Sequence, residues 1–588
     1  MSPLFASPDV EVTERSGSIR ILSSRTPLGE HVSSVAEWLK QWAQAAPDQP
    51  LVAERAKDDN AWEMLSYATA WSTGRSIGQS LLDRGLGPDR PLVVLSGPSI
   101  AHAQLMLAAH IVGVPFVPVS VAYSLIAQDP ARVLHIVDQC DPGLVFVEQS
   151  APFAQVLDAI PGRDIVSGDG VVGTALQQLI DTPVTEAVDD AFERVGPDHV
   201  AKILYTSGST DMPKGVITTH RMLCANQKSI ALVWPFLAET PPVICDWLPW
   251  SHTFGSSHNF NLVLSNGGTL YIDAGKPAPG LFDTTVANLA NVRPTIAFNV
   301  PAGYARLVDH LETDRELAEA FFSRLRLIFY AAAPLPDDVW RRLEAVSVST
   351  TGRSVPMTSS WGLTETAPAV TSAHFPLDRA GVIGTPLPGV TIKLVPSNDK
   401  TEIRVAGPSV TPGYLADPER SAAAFDDEGF LITGDAVKLA DAADPNAGLV
   451  FDGRVGEDFK LSTGTWVNVG VLRPQIVSAT APIVSDCVVT GHGRDRLGLL
   501  VWLAPGQTDS AETRERLKSL LTKHNKANAN TSSTRIRRAV ILDTPPSIDV
   551  GETTDKGYVN QGRALVARSE AVKMLNAEPP GNNVVVID

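Results

Sequence analysis

The densest chemistry in the sequence lies in ten consecutive residues. Thr206-Ser207-Gly208-Ser209-Thr210-Asp211-Met212-Pro213-Lys214-Gly215 sets four hydroxyl side chains, two glycines and one lysine directly after the apolar run Ile203-Leu204-Tyr205. Hydroxyls and glycine-freed backbone N–H groups are donors that suit a polyphosphate, and the lysine supplies countercharge. The loop is not of the Walker type. Five residues separate Gly208 from Lys214, and Gly215 stands where a magnesium-holding Ser or Thr would be needed. The competing reading is a polar turn. Two other patterns carry less. Gly168-Asp169-Gly170-Val171-Val172-Gly173 spells a dinucleotide-binding pattern, but its preceding strand is short and a glycine-rich turn explains it. Gly74-Arg75-Ser76-Ile77-Gly78 spells a hydrolase nucleophile elbow. Ser76, however, sits inside a helix whose apolar face runs through Tyr67, Trp71, Gly74, Gly78 and Leu81, whereas an elbow needs a strand, a strained turn and then a helix.

Further blocks follow the phosphate loop in order. They are Trp247-Leu248-Pro249-Trp250-Ser251-His252-Thr253-Phe254-Gly255, Tyr330-Ala331-Ala332-Ala333-Pro334-Leu335, Ser360-Trp361-Gly362-Leu363-Thr364-Glu365-Thr366, Thr433-Gly434-Asp435 with Gly453-Arg454, Asp458-Phe459-Lys460-Leu461-Ser462-Thr463-Gly464, and Gly551 to Tyr558 around Lys556. Together they resemble the adenylate-forming superfamily of acyl-CoA synthetases, peptide-synthetase adenylation domains and beetle luciferases, over about residues 35 to 565. Val216 to Gln227, Phe298 to Tyr304 and Asp555 to Gln561 look most like feruloyl-CoA synthetases. Two departures stand out: Asp211 where the family has Gly, and Asp555 before Lys556 where it has Gly.

The resemblance implies roles for these residues. Thr206, Ser207, Gly208, Ser209, Thr210 and Lys214 would bind the outer phosphates of ATP. Ala331, Ala332 and Ala333 would form a backbone shelf under adenine, with Trp361 facing the ring. Thr364 would meet phosphate and Glu365 would hold Mg²⁺. Asp435 would accept from the ribose hydroxyls, supported by Arg454. His252 would lie where the acid pocket meets the reaction centre. Gly464 belongs to a loop lining the pantetheine tunnel of coenzyme A, and Lys460 would act near CoA or the acyl phosphate. Lys556 would bridge the carboxylate and the α-phosphate. The implied activity is a two-step acid–CoA ligase, forming acyl-AMP and then the thioester, with ferulate or another hydroxycinnamate as the acid. A medium- or long-chain fatty acyl-CoA ligase shares every block. A non-catalytic acyl-nucleotide binder would lack Lys556 or Glu365, and both are present. A peptide-synthetase adenylation protein would normally deliver to a carrier domain, and with 32 residues after Lys556 that reading is not the expected one. Small molecules are the expected partners, with room for a homodimer.

These residues need a large scaffold. The alternation of apolar strand-like runs with helical patterns from about 33 to 450 predicts an α/β fold rich in parallel sheet, with a small mobile α+β domain after it. Residues 1–30 read as a loosely ordered leader, 31–454 as the ATP- and acid-binding domain, and 455–588 as a lid carrying the catalytic lysine, with the hinge at Gly456 or Glu457. The chain has 588 residues and a formal net charge of −17. That balance argues against a nucleic-acid coat or a polybasic membrane binder but leaves a local anion site open. The four cysteines, Cys140, Cys224, Cys245 and Cys487, are scattered, so neither a zinc site nor a disulfide framework is expected. With no secretory signal pattern and no clean apolar run, the expected location is the cytoplasm.

Overall fold

A computed structural model of the protein describes residues 3–56, 61–206, 212–278, 280–397, 399–528, 533–553 and 559–587. Continuous apolar runs such as Leu92–Val94 and Leu144–Val147 are buried on both faces, as strands inside a parallel sheet must be. They form the centre of a seven-stranded sheet. The two strands at one edge, Val200–Thr206 and Lys214–Thr219, are antiparallel, and Thr206 pairs with Lys214. Thr206 and Lys214, at the two described ends of the hydroxyl-rich run, therefore lie opposite each other at the sheet edge.

The widest sheet has eleven strands. It is parallel only where Ile296–Asn299, Leu327–Tyr330 and Met357–Gly362 lie side by side. The remaining pairs are antiparallel, so the expectation of parallel-rich sheets holds for only part of the domain. Strands such as Lys400–Ala406 mix buried with part-exposed positions, the pattern of a sheet with one face toward water. A four-stranded sheet of Val243–Asp246, Thr269–Ile272, Pro50–Arg55 and Trp62–Ser66 completes the large domain.

Within the expected leader, residues 10–24 are not loosely ordered. Val10–Arg15 and Ile19–Ser24 form a hairpin that pairs with Thr391–Ser397, Leu22 opposite Ile392. Val10 and Leu22 are buried in the main core. The segment is held by ladder hydrogen bonds plus those two anchors, a pattern its charged residues obscure in the sequence.

Gly74 and Gly78 lie in the helix Tyr67–Asp83, as the spacing predicts, and they do more than tolerate it. A Cβ on Gly74 would stand 2.9 Å from Ile111 Cδ1, and one on Gly78 would stand 2.8 Å from Val112 Cγ1. The glycines let this helix approach the helix Ile100–Val112. Gly170 and Gly173 both have positive φ, in a turn between the strands Ile165–Ser167 and Thr174–Ala175, which agrees with the glycine-turn reading.

Beyond the turn at 455–457 a smaller unit begins. The hairpin Phe459–Lys460/Trp466–Val467 and a four-stranded sheet pack with the helices Val469–Ala479 and Ala511–Ala527 around a separate core that includes Leu472, Ile476, Leu499 and Leu517. Among the described residues, no helix is long and apolar enough to cross a membrane.

Candidate active site

Lys214 stands at the start of its strand, facing the one-turn helix Thr364–Thr366. Its Nζ lies 2.9 Å from Glu365 Oε1 and 2.9 Å from the Tyr414 hydroxyl, which in turn donates to Glu365 Oε1 at 3.0 Å. Burial works against both charges. Each partner nevertheless holds the other ionised: Lys214 stays above its ordinary pKa, and Glu365 stays below the usual carboxylate range. The triad places one cation and one carboxylate near Thr206, the strand partner of Lys214. The Thr206 Oγ1 is buried without a hydrogen-bond partner among the described residues. A cavity of about 310 Å³ is lined by His135, Lys214, Tyr414 and Arg420, among others. Sequence reasoning does not find Tyr414, because nothing local marks it. It arrives through a bridge between Tyr414 and Val216. Ser207, Gly208, Ser209 and Thr210 lie outside the described residues.

A second cluster forms where three strands meet. Asp435 on Leu431–Leu439 is directly opposite Arg454 on Leu449–Arg454. The buried Trp361 donates from Nε1 to Asp435 Oδ2 at 3.0 Å, and Arg454 Nε is 3.3 Å from Oδ1. The Arg454 contact lacks hydrogen-bond alignment, so Oδ1 keeps a free acceptor lone pair. Burial raises the pKa of Asp435, against the opposing effects of Arg454 and Trp361. A planar ring beside a buried carboxylate with an open acceptor suits a nucleoside: the ring stacks and the carboxylate takes hydroxyl donors. Ala331, Ala332 and Ala333 follow the strand Leu327–Tyr330; Ala331 and Ala333 are partly covered and Ala332 is exposed. Ala332 has φ +74°, a left-handed backbone in which a small side chain limits the strain. Thr364 is buried on the same turn as Glu365. The structure thus brings together Thr206, Lys214, Thr364, Glu365, Trp361, Asp435 and Arg454 through two bonded clusters joined by the segment 361–365.

His252 is buried between the strand Val243–Asp246 and the helical segment Phe254–Phe260. Its carbonyl accepts from the backbone N–H and the hydroxyl of Ser256, which fixes the entry of that segment. Phe254, Phe298 and Phe329 form one aromatic group beside the segment, with ring centroids 5.1–6.2 Å apart.

The smaller unit contributes unevenly. Gly456 lies in the turn that follows Arg454, with open space where a Cβ would stand. Lys460 Nζ lies 4.7 Å from the centre of the Trp466 ring, and Gly464 turns the same hairpin with φ +83°. Among the described residues, neither bonds to the two clusters at Lys214 and Asp435. Lys556 lies outside the described residues. The chain just before it is docked on the large domain: Arg132 donates to the Ile548 carbonyl, and Asp549 Oδ1 accepts from Gln128 N at 3.2 Å. His135, on the same helix as Arg132, reaches the Pro213 carbonyl at 3.1 Å. The segment that leads to the lysine is therefore anchored on the helix that also touches Pro213, next to Lys214.

The AMP-binding enzyme family model matches residues 39–415, and the AMP-binding enzyme C-terminal domain model matches 459–577. The chain belongs to the AMP-binding enzyme family. A malonate–CoA ligase from Arabidopsis thaliana is 26% identical over 415 residues, which is 68% of this chain and 65% of the relative. A feruloyl-CoA synthase from an Amycolatopsis species is 26% identical over 381 residues, 63% of this chain and 70% of the relative. The chain spans about half to two thirds of the length of several curated relatives it matches. The crystal structure of ATP-bound MatB from Rhodopseudomonas palustris has the same fold, with a TM-score of 0.67 at 24% identity, covering 91% of this chain and 99% of that one.

Proposed function

We propose that this protein is an AMP-forming acid–CoA ligase whose acid is a hydroxycinnamate such as ferulate. The observation that carries the reading is the junction of the two bonded clusters: an indole, a buried carboxylate and a guanidinium at Trp361, Asp435 and Arg454, joined through residues 361–365 to a charged triad at Lys214, Glu365 and Tyr414. The first half-reaction brings two anions together. The chain's contribution is to hold them and to neutralise charge developing at the α-phosphate. Asp435 fixes the ribose, Ala331 to Ala333 and Trp361 hold adenine, and Lys214 with Thr206 to Thr210 hold the outer phosphates. Lys556, carried by the docked lid, would lie between the carboxylate and the α-phosphate. Magnesium binds through one or two carboxylates plus substrate phosphates. Glu365, held ionised beside Lys214, fits that need and is the carboxylate that would hold it. The bound ion would supply charge neutralisation at the phosphates. In the second half-reaction the lid turns about Gly456–Glu457, bringing Lys460 and the Gly464 loop to the site as CoA enters.

The test is AMP release with ATP, Mg²⁺ and CoA across aromatic and aliphatic acids. Ferulate or coumarate should lead in kcat/KM. A lead for octanoate, palmitate or malonate would overturn the hydroxycinnamate assignment and leave the ligase chemistry standing.

A further inference from the structure

Two buried polar atoms at the base of the aromatic group are unused by the chemistry above. His258 is 2% exposed and Trp234 is 1% exposed, and their ring centroids are 6.4 Å apart. Among the described residues, His258 Nε2 and Trp234 Nε1 have no hydrogen-bond partner. Leaving such atoms unpaired in a dry interior is unfavourable, because each forfeits the hydrogen bond it had in water. Phe254, Phe298 and Phe329 surround His258, with centroids 5.8, 5.4 and 5.2 Å away.

The hydrogen-bond chain behind His258 fixes which nitrogen carries the proton. Asp246 Oδ2 accepts from Asn259 Nδ2 at 2.6 Å, so the Asn259 side-chain oxygen faces His258 Nδ1 at 2.9 Å. With the Asn259 amide so oriented, Nδ1 is the donor and Nε2 presents a lone pair. Burial lowers the pKa of His258 to about 4, so the ring is neutral near pH 7. The indole N–H of Trp234 can only donate. One unpaired acceptor and one unpaired donor therefore lie on neighbouring rings that both pack against Phe329, with centroids 5.2 and 5.9 Å from it, and a hydroxyl is the group that serves both.

The location fits the acid. Phe298 is paired in register with Phe329 on parallel strands. Phe329 is two residues before Ala331, and Ala331 packs against the core to which Phe329 belongs. The aromatic group thus lies beside the alanine shelf, on the side where His252 leads into the helical segment that carries His258.

We propose that His258 Nε2 and Trp234 Nε1 form a hydroxyl-recognition site at the closed end of the acid pocket, selecting acids that carry a distal O–H. This rests on the ligase reading and narrows its substrate class. An alkyl terminus would leave both atoms unpaired. A second carboxylate would meet the His258 lone pair with only neutral rings around it.

The experiment compares acids that differ only in the distal group: coumarate, cinnamate and 4-methoxycinnamate; 4-hydroxybenzoate and benzoate; 8-hydroxyoctanoate and octanoate. Two readouts are taken, kcat/KM for AMP release and the Kd of the matching non-hydrolysable acyl-adenylate analogues by calorimetry. The wild type should favour the hydroxyl member of the accepted pair at least ~10-fold. The ratio should fall toward one in His258→Leu and decline in Trp234→Phe, and His258→Gln, which keeps an acceptor, should recover part of it. If His258→Leu does not fold, Trp234→Phe and the wild-type ratios decide. Ratios near one in the wild type by both readouts, as a resident water at the site would give, overturn the proposal. So does a ratio preserved in folded variants. A hydroxyl preference seen only among benzoates or alkanoates would refute the hydroxycinnamate reading and support the recognition site.

Discussion

Replacing Trp361 with Phe removes one N–H and keeps an aromatic face. The lost bond is the 3.0 Å donation to Asp435 Oδ2. A hydrogen bond to a charged acceptor contributes about 1.5–3 kcal/mol. Water can take up part of that loss, so the lower end applies, and KM for ATP should rise about 10-fold. The pH dependence is a second signature. Burial already raises the pKa of Asp435, and Trp361 opposes that rise. Removing a donor to the ionised form raises it further. A carboxyl raised in the fold contributes stability that is present below its unfolded pKa and lost as pH rises through the folded value. In the proposed function ATP binding runs the other way, because the ribose hydroxyls would need the ionised acceptor. The acid limb of kcat/KM for ATP should therefore move to higher pH in Trp361→Phe. AMP release measured across the acid range at several ATP concentrations checks both effects. An unchanged KM together with an unmoved acid limb would refute the assignment of Trp361 and Asp435 to one ribose-binding unit.

Glu365→Gln removes the charge paired with Lys214 and should lower the adenylation rate about 100-fold, read as acid-dependent ATP–pyrophosphate exchange with the Mg²⁺ requirement shifted upward. Tyr414→Phe removes the hydroxyl shared by Lys214 and Glu365, and the same exchange should fall about 10-fold. Lys202 is fully buried with no partner for Nζ among the described residues, and burial lowers its pKa to about 7. The unfolded chain binds that proton up to about pH 10, so this residue makes stability rise between about pH 7 and pH 10. Lys202→Met should flatten that rise and add about 2–4 kcal/mol near neutral pH, read by denaturant unfolding. Gly78→Val puts new atoms where a Cβ alone is already 2.8 Å from Val112 Cγ1 and should destabilise the fold by about 1–3 kcal/mol.

The chemistry-bearing residues are legible because their types are unusual in their places. A run of hydroxyls ending in Lys214, and Trp361 followed by Thr364 and Glu365, announce themselves in sequence. Their partners do not. Tyr414 reaches Lys214 through a bridge between distant segments, and the Trp361–Asp435 bond joins residues 74 apart, so both depend on strand register that no local pattern encodes. His258 reads as one more core histidine until its unpaired nitrogen and the chain through Asn259 to Asp246 are seen together. The hairpin at 10–24 escapes sequence reading because Val12 is exposed among Glu11, Glu14 and Arg15, and its buried anchors are only Val10 and Leu22. The antiparallel part of the widest sheet is equally hidden, because the clearest apolar runs belong to the other sheet.

The central claim is that the acid is activated as an acyl-AMP. Supplying the acid with isotopically labelled carboxylate oxygen, together with ATP, Mg²⁺ and CoA, tests it directly by mass spectrometry of the products. Attack of the carboxylate on the α-phosphorus should leave one labelled oxygen in AMP and none in pyrophosphate. Label in inorganic phosphate with ADP as the nucleotide product, or thioester formed with no label in AMP, would contradict the account.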